Sequence, residues 1–241
     1  MTDIRFFQVG GCVRDGFLGI KSKDIDFAVE VSDCTHLDTD MPMTLGWLAM
    51  QEAVHARCSK VFLETPEFLT IRGLDPELGA VDFVLCRKDG PSSDGRRPDF
   101  VEPGTILDDL ARRDFTVNAM AIDDEGFLLD PHNGQSDLEA RLLRFVGVPT
   151  DRLQEDALRA FRALRFAITK QFSMTEGTIL AIKGMEPEAF DAVSTDRIRD
   201  ELFKMFAKDT AAALTVLTQF PVLLNVSLGR GIWLRPTVEN P

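Results

Sequence analysis

The spacing of apolar residues divides the chain into two parts with different patterns. Before Asp137, short apolar runs bounded by Gly, Pro or Asp predict strands, and stretches with helical spacing separate them. The predicted strands cover residues 4–9, 25–31, 61–64, 68–71, 80–86 and 127–129. The predicted helices cover residues 13–18, 45–56 and 106–122. After Asp137 helical periodicity dominates, over residues 156–168, 175–183 and 195–208.

Some local features refine these predictions. Gly19 stands where a glycine often follows the last turn of a helix, so the helix over residues 13–18 ends there. Residues 32–43 and 88–98 are polar and predict loops. The apolar face predicted for the helix over residues 45–56 contains Leu45, Leu48, Ala49 and Ala53.

The change of pattern predicts a domain boundary near residues 146–151. We expect an α/β domain with a mixed sheet over residues 1–148 and an all-helical domain over residues 149–229. Residues 230–241 contain two prolines and little periodicity, which predicts a C-terminal tail.

Composition narrows the class of protein. With 241 residues, 44% of them hydrophobic, the chain is long enough for a real core. No apolar run approaches the length of a membrane span, and the first residues lack the pattern of a signal peptide. The four cysteines include no C-x-x-C pair, so we expect reduced thiols in a cytoplasmic protein rather than a zinc site.

Charge is unevenly distributed. The net charge of −12 argues against non-specific binding of nucleic acid by the whole surface. Residues 24–56 contain seven acids and no Lys or Arg, whereas residues 138–170 contain seven basic residues and four acids. A polyanionic partner should therefore meet the second stretch.

Gly10 and Gly11 follow the first predicted strand and precede a helix. Glycine allows close approach of the backbone to a ligand, and the N–H groups that begin a helix attract anions. Arg14, in the first turn of that helix, has a guanidinium that can fork onto a phosphate. The alternative is an ordinary strand-to-helix turn that needs a glycine.

Asp24 and Asp26 lie two residues apart on the second predicted strand, so their side chains share one face. Two adjacent carboxylates repel each other unless a cation lies between them, and Mg²⁺ takes one or two carboxylates together with phosphate oxygens and water. The alternative is a solvent-facing pair on an edge strand. Asp82 is a candidate third acid, although a solvated strand residue explains it equally well.

Two helical stretches carry further polar residues. In the predicted helix over residues 106–122, Asp114 and Asn118 share one face and follow Arg112 and Arg113 in the sequence. The two arginines suit contacts to phosphate, and Asp114 and Asn118 suit contacts to a sugar. Solvated charges on an amphipathic helix are the alternative there.

The second of these stretches contains Asp156 and Arg159, which are neighbours at i, i+3. A carboxylate that only accepts hydrogen bonds, beside a guanidinium that only donates them, matches cytosine and adenine and rejects uracil and guanine. An ordinary ion pair on a helix surface is the alternative.

The ordered set of these motifs resembles the class II tRNA nucleotidyltransferase (CCA-adding enzyme) and bacterial poly(A) polymerase family, within the polymerase-β-like nucleotidyltransferases. The resemblance runs almost end to end. Residues 10–15 with Asp24 and Asp26 resemble the catalytic motif, residues 94–98 the flexible loop and residues 112–119 the ribose-binding motif. Residues 155–159 are similar to the base-reading motif and residues 195–202 to the neck helix.

The resemblance implies a role for each matching residue. Asp24 and Asp26 are implied to bind Mg²⁺ as the catalytic pair, and Gly10, Gly11 and Arg14 to hold the triphosphate. Sugar contacts are implied for Arg113, Asp114 and Asn118. Asp156 and Arg159 are implied to read the base edge, with Arg162 and Arg165 nearby. The implied flexible-loop residues are Asp94, Arg96 and Arg97.

The implied fold is an α/β head domain with a mixed or antiparallel sheet, followed by an all-helical neck. The implied activity is template-independent addition of CCA to tRNA 3′ ends from CTP and ATP with Mg²⁺. In the family the flexible loop takes part in the switch from C to A, so its presence favours complete CCA addition. An A-only or poly(A) polymerase, a small-molecule nucleotidyltransferase and a non-catalytic nucleotide- or RNA-binding module remain as alternatives.

Overall fold

The computed structural model describes residues 3–22, 24–32, 42–90 and 101–232. Outside these ranges lie the loop residues Asp94, Arg96 and Arg97, most of the polar stretch at 32–43 and residues 233–241 of the expected tail. The described residues divide into two compact units. The first ends at residue 147, except that residues 141–144 belong to the second, which continues from residue 148.

A seven-stranded mixed sheet forms the first unit, in the order β3-β4-β5-β2-β1-β8-β9. Its pairings are antiparallel except for β2 with β5, which run parallel. A separate antiparallel ribbon joins β6 and β7. The strands are β1 (Ile4–Val9), β2 (Ile25–Val31), β3 (Lys60–Thr65), β4 (Thr70–Asp75), β5 (Gly79–Leu85), β6 (Arg87–Asp89), β7 (Val101–Pro103), β8 (Ala121–Asp123) and β9 (Leu128–Leu129). The expected mixed sheet is confirmed.

The α-helices in the described part of this unit are α1 (Gly11–Phe17), α2 (Pro42–Arg57), α3 (Ile106–Ala111) and α4 (Gly134–Glu139). The first helix ends as predicted, because Gly19 adopts the left-handed φ of +68° just beyond its last turn. Helix α3 begins with a capping box in which Thr105 and Asp108 satisfy each other's backbone N–H groups.

The predicted apolar face of α2 is right only in part, because Ala49 packs against the core but Leu45 and Leu48 do not. Leu45 is 38% exposed and Leu48 is 51% exposed, whereas Trp47, Met50 and Val54 lie in the core. This helix has apolar residues almost all the way round, so helical spacing alone allowed more than one buried face. The face that contains Trp47 and Met50 is the one that packs on the sheet.

The predicted helix over residues 106–122 is confirmed from Ile106 to Ala111 and wrong beyond that point. Helix α3 ends at Ala111, a 3-10 turn covers Thr116–Asn118, and β8 starts at Ala121. The carboxylate of Asp114 accepts the N–H of Phe115 at 2.8 Å, and the hydroxyl of Thr116 donates to Asp137 at 2.7 Å. These side-chain bonds replace helical backbone bonds, which is how Asp and Thr interrupt a helix.

The two faces of the sheet carry two hydrophobic clusters. Phe27 and Phe83 stack at 5.3 Å on one face, beneath Met50 of α2. Phe7 and Ala28 pack on the other face with Leu110 of α3. Successive residues of a strand point to opposite faces, so each central strand contributes to both clusters.

The second unit consists mainly of helices, as expected. Its helices are α5 (Pro149–Glu155), α6 (Leu158–Thr169), α7 (Glu176–Lys183), α8 (Thr195–Lys208), α9 (Thr210–Thr218) and α10 (Pro221–Gly229). A short parallel pair, β10 (Leu142–Leu143) with β11 (Ser173–Met174), was not predicted. Phe161 of α6 meets Phe190 edge-on at 5.6 Å in its core.

Among the described residues, no single helix meets the length and hydropathy needed to cross a membrane. Helices α9 and α10 meet those criteria only as a pair that is bent by 111°.

Gly134 controls how α4 packs on the turn that holds Asn118. A Cβ at Gly134 would collide with the carbonyl oxygen of Thr116 and lie 2.8 Å from its carbonyl carbon. We expect Gly134→Ala to lower the free energy of unfolding by about 1–3 kcal/mol, because backbone must shift to admit the methyl group.

The measurement is urea unfolding followed by circular dichroism. Gly16→Ala in α1 is the matched control, since a Cβ there meets nothing within 4 Å. The control should be neutral or gain up to about 1 kcal/mol from helix propensity. Equal loss in both variants would contradict this account of Gly134.

Candidate functional site

The turn after β1 is shaped by Gly10. Gly10 adopts φ +74° and ψ −125°, and a Cβ there would lie 2.7 Å from Nη1 of Arg113. The backbone angle therefore favours glycine, and a Cβ would also displace the guanidinium of Arg113. A Cβ at Gly11 would make only ordinary contact with Nη2 of Arg14, at 3.6 Å, so steric crowding does not explain this second glycine.

Arg14 belongs to a buried hydrogen-bond network. Its Nε donates to Asp15 at 2.9 Å and its Nη1 donates to the side-chain oxygen of Asn118. The amide nitrogen of Asn118 in turn donates to Asp114 at 2.9 Å. The expected proximity of Asp114 and Asn118 is present, but a turn rather than a helix face creates it. The guanidinium of Arg14 fixes this turn against α1, and its role toward a phosphate stays a prediction.

Asp109 organises the two neighbouring arginines, and the sequence analysis missed it. Its carboxylate is 1% exposed and accepts from Nε of Arg112 and Nε of Arg113, each at 3.1 Å. Burial acts to raise the pKa of Asp109, but the charges of Arg113 and Arg112 outweigh it and hold the pKa below its ordinary value. The i, i+3 and i, i+4 spacing from Asp109 to the arginines was the available signal.

Arg113 therefore has a defined position beside the glycine turn. Its Nη2 donates to Asp109 at 2.8 Å, and its Nη1 lies against Gly10 and donates to the backbone oxygen of Asn118 at 3.4 Å. The structure thus brings Gly10, Arg14, Arg113, Asp114 and Asn118 into one neighbourhood of the first unit.

An acidic row starts next to this neighbourhood. Asp26 lies opposite Asp82 in the parallel pair of β2 and β5, and Asp24 immediately precedes β2. Burial, followed by the charge of Asp82, raises the pKa of Asp26; Arg113 lowers it and Asp24 raises it further. Arg72 of β4 holds Asp82 through two hydrogen bonds, so of the three acids only Asp82 is paired with an arginine in the described structure.

This donor set fits a divalent cation only in part. Among the described residues, no three His, Cys, Asp or Glu side chains form a complete metal cage. Two carboxylates with excess negative charge nevertheless match what Mg²⁺ takes from a protein when phosphate oxygens and water supply its remaining ligands. Asp24 and Asp26 are the residues that would hold the ion.

In the second unit, Asp156 lies between α5 and α6, two residues before the first residue of α6. Its Oδ1 accepts the N–H of Leu158 at 3.0 Å, and its Oδ2 accepts from Nη2 of Arg197 on α8 at 2.7 Å. Nη1 of Arg197 is buried and has no hydrogen-bond partner among the described residues. An orphan donor of this kind is one that a ligand oxygen could satisfy.

Arg159 has a carboxylate partner that the sequence analysis did not assign. Its Nη1 donates to Glu155 at 2.7 Å and to the backbone oxygen of Arg152 at 3.1 Å. The structure therefore places Asp156 and Arg159 within one turn of each other, but gives each an ion-pair partner of its own.

Arg162 and Arg165 both point to Glu201. Arg165 forms a hydrogen bond to Glu201, and Nη1 of Arg162 lies 3.7 Å from the same carboxylate. Glu201 is buried on α8, and the sequence analysis did not single it out. These two arginines thus tie α6 to α8, while their role toward a nucleotide stays a prediction.

Comparison with known proteins identifies the family. A model of the poly(A) polymerase head domain matches residues 6–144. The CCA-adding enzyme of Geobacillus thermodenitrificans is 35% identical over 236 residues, which is 95% of this chain and 53% of that protein. The Streptococcus suis CCA-adding enzyme is 33% identical over 84% of this chain and 46% of its own length.

Solved structures give the same result. The Bacillus stearothermophilus CCA-adding enzyme in complex with CTP matches with a TM-score of 0.71 and 28% identity, over 93% of this chain and 49% of that one. The Thermotoga maritima CCA-adding enzyme in complex with tRNA matches with a TM-score of 0.72 and 26% identity, over 97% and 50%. The chain therefore spans about half the length of the relatives it matches.

The raised pKa of Asp26 predicts that its charge weakens the fold. A folded-state pKa above the unfolded value, about 4, provides stability at low pH that is lost as the pH rises through the folded-state pKa. Asn at this position cannot ionise. Asp26→Asn should therefore raise the free energy of unfolding at pH 7 by about 0.5–1 kcal/mol, a figure reduced for the partial exposure of the carboxyl.

Urea unfolding at pH 7 and pH 4, without divalent cations, measures this effect. The gain should shrink at pH 4, which serves as the internal control. A variant that is less stable than the wild type at pH 7 would contradict the assigned origin of the pKa shift.

Proposed function

This chain belongs to the family of the poly(A) polymerase head domain, and from that premise we propose that it is a template-independent RNA nucleotidyltransferase that adds CCA to tRNA 3′ ends. CTP and ATP are the proposed nucleotide substrates. The observation that carries the proposal is the neighbourhood of Asp24, Asp26, Gly10 and Arg113 in the first unit. The names of the similar proteins, among them complexes with CTP and with tRNA, support the choice of substrates.

Asp24 and Asp26 are proposed to hold Mg²⁺. When bound, this ion lowers the barrier to attack at phosphorus by neutralising charge on the triphosphate. In the reaction the tRNA 3′ oxygen forms a bond to the α-phosphorus, the bond from that phosphorus to the leaving pyrophosphate breaks, and the proton of the hydroxyl passes to solvent water. Asp26 suits its role because its carboxylate is partly buried beside a second acid, and a cation would relieve that repulsion.

Arg113 and the glycine turn are proposed to receive the nucleotide. The backbone N–H of Gly10 donates to the carbonyl oxygen of Met120 at 3.4 Å, so Gly10 is proposed to allow close approach of the triphosphate and Gly11 to offer its backbone N–H. Arg14 stabilises the turn from within. Asp109 orients Arg113, so that its guanidinium adds positive charge close to Gly10. Asn118 and Asp114 supply the hydrogen-bonding groups proposed to contact the sugar.

Asp156 and Arg159 are proposed to read the base. The chemistry is acceptance from an exocyclic amine by Asp156 and donation to a ring nitrogen by Arg159. Arg197 orients the carboxylate of Asp156, and Glu155 orients the guanidinium of Arg159. Arg162 and Arg165 support the same helix. On this proposal residues 1–148 are the catalytic head and residues 149–229 the neck.

A poly(A) or A-only polymerase is the second candidate, because the matching family model is that of the poly(A) polymerase head domain. Incubation with tRNA that lacks its terminal CCA, Mg²⁺ and each nucleotide in turn tests both candidates. Addition of two C residues followed by one A supports CCA addition. Long A tails on unrelated RNA with ATP alone support the second candidate, and failure to incorporate CMP or AMP contradicts both.

Asp24→Ala should abolish turnover while binding of nucleotide largely persists, because this change removes a metal ligand and leaves the glycine turn and Arg113 intact. Nucleotide incorporation and equilibrium binding of CTP measure the two effects. Asp196→Ala is the matched control, since Asp196 is an exposed acid of α8. Normal turnover by Asp24→Ala would refute the metal assignment.

Asp156→Ala should relax base selection. Without the carboxylate of Asp156, the carbonyl oxygens of uracil and guanine no longer face a second hydrogen-bond acceptor. The ratio of kcat/KM for CTP over UTP should therefore fall by about 100-fold or more. Single-nucleotide incorporation with each triphosphate measures the ratio. Lys204→Ala, which removes an exposed ion pair of α8, should leave the ratio unchanged. An unaltered ratio in Asp156→Ala would remove this residue from base reading.

A further inference from the structure

Arg72, Asp82 and Asp26 form a row across three neighbouring strands. Arg72 of β4 lies opposite Asp82 of β5, and Asp82 lies opposite Asp26 of β2. Residues directly opposite each other in adjacent strands have side chains on the same face. The positively charged Arg72 therefore lies at one end of this row, and the other two members, Asp82 and Asp26, are acids.

Arg72 engages both oxygens of the Asp82 carboxylate. Its Nε donates to Oδ1 at 2.7 Å and its Nη2 donates to Oδ2 at 2.6 Å, which is the two-pronged geometry that makes arginine–carboxylate pairs strong. The Arg72 side chain is 54% exposed and that of Asp82 is 24% exposed. The guanidinium thus covers the acid from the solvent side.

Asp24 and Asp26 have a different environment. Among the described residues, no hydrogen bond from a protein donor to either of these two carboxylates is found, whereas both oxygens of Asp82 are occupied. Asp24 and Asp26 of the proposed cation site and the neighbouring Asp82 are therefore not equivalent. Asp24 and Asp26 remain available to an ion, whereas Asp82 is paired with Arg72 of the neighbouring strand β4.

We propose that Arg72 is a positioning residue that holds Asp82 in an internal ion pair and thereby limits the divalent-cation site to Asp24 and Asp26. This inference rests on the proposed function, because it takes these two acids as the metal ligands. A third carboxylate would let the free protein bind the ion tightly before any nucleotide arrives. With two, the remaining positions go to phosphate oxygens and water, so that nucleotide and metal bind together.

The test is Mn²⁺ binding to the full chain without nucleotide, followed by electron paramagnetic resonance. Arg72→Ala frees Asp82 and should tighten Mn²⁺ binding by about 5- to 10-fold. The bound ion should also lose one coordinated water, because the carboxylate of Asp82 replaces it. Arg72 is exposed, so the variant is expected to fold, and circular dichroism checks this.

Removal of a nearby positive charge would by itself favour a cation, so the same change is made in an Asp82→Asn background. There it should alter the Mn²⁺ affinity by less than about twofold, since no carboxylate is available to be freed. An equal gain in both backgrounds would overturn the proposal, because charge alone would then explain it. A clear loss of Mn²⁺ affinity in the single variant Asp82→Asn would also overturn the proposal, because it would show that Asp82 is a metal ligand in the wild type.

Asp24→Ala separates this inference from the proposed function. If Mn²⁺ binding survives that change, the assumed metal site is wrong whatever Arg72 does. If Asp24→Ala abolishes binding while Arg72→Ala leaves both affinity and hydration unchanged, the metal site stands and the role of Arg72 is refuted.

Discussion

The register between β2 and β5 is the constraint on which the first unit depends. It places Asp26 beside Asp82 on one face of the sheet and Phe27 beside Phe83 on the other. The stacked phenylalanines contribute to the core beneath α2, and this burial stabilises the same register that brings the two acids together. A slip by one residue would exchange the faces, burying the acids and exposing the aromatic rings. The hydrophobic core thus positions the polar site.

Most arginines in the described ranges of the chain have a hydrogen-bond or ion-pair partner within the protein. Asp109 holds Arg112 and Arg113, Asn118 accepts from Arg14, and Asp82 accepts from Arg72. Such pairs fix the direction of a long side chain and so reduce the entropy lost when a ligand binds. The chain carries excess negative charge overall, yet positive charge is held in defined places next to the glycine turn. The local arrangement of charged side chains beside the glycine turn, rather than the net charge of the chain, therefore decides which ligands this turn attracts.

The second unit uses the same principle with different partners. Arg197 on α8 holds Asp156 just before α6, and Glu201 on α8 holds Arg165 within α6. Two ion pairs at separate points set both the position and the rotation of α6 relative to α8. Asp26 shows a stability cost in the first unit, since burial and the charge of Asp82 raise its pKa and so disfavour its ionised form.

The sequence by itself determined the strands β1 and β2, the glycine turn, the acid pair and the family resemblance, because these depend on short-range patterns and spacing. It did not determine which face of α2 is buried, where α3 ends, or which carboxylate each arginine selects. Arg14 bonds to Asn118, 104 residues away, and Arg72 meets Asp82 only through the register of β4 and β5. Many acidic residues could pair with each arginine, and the pair that forms depends on which side chains lie close together in space. Only the tertiary structure determines those distances.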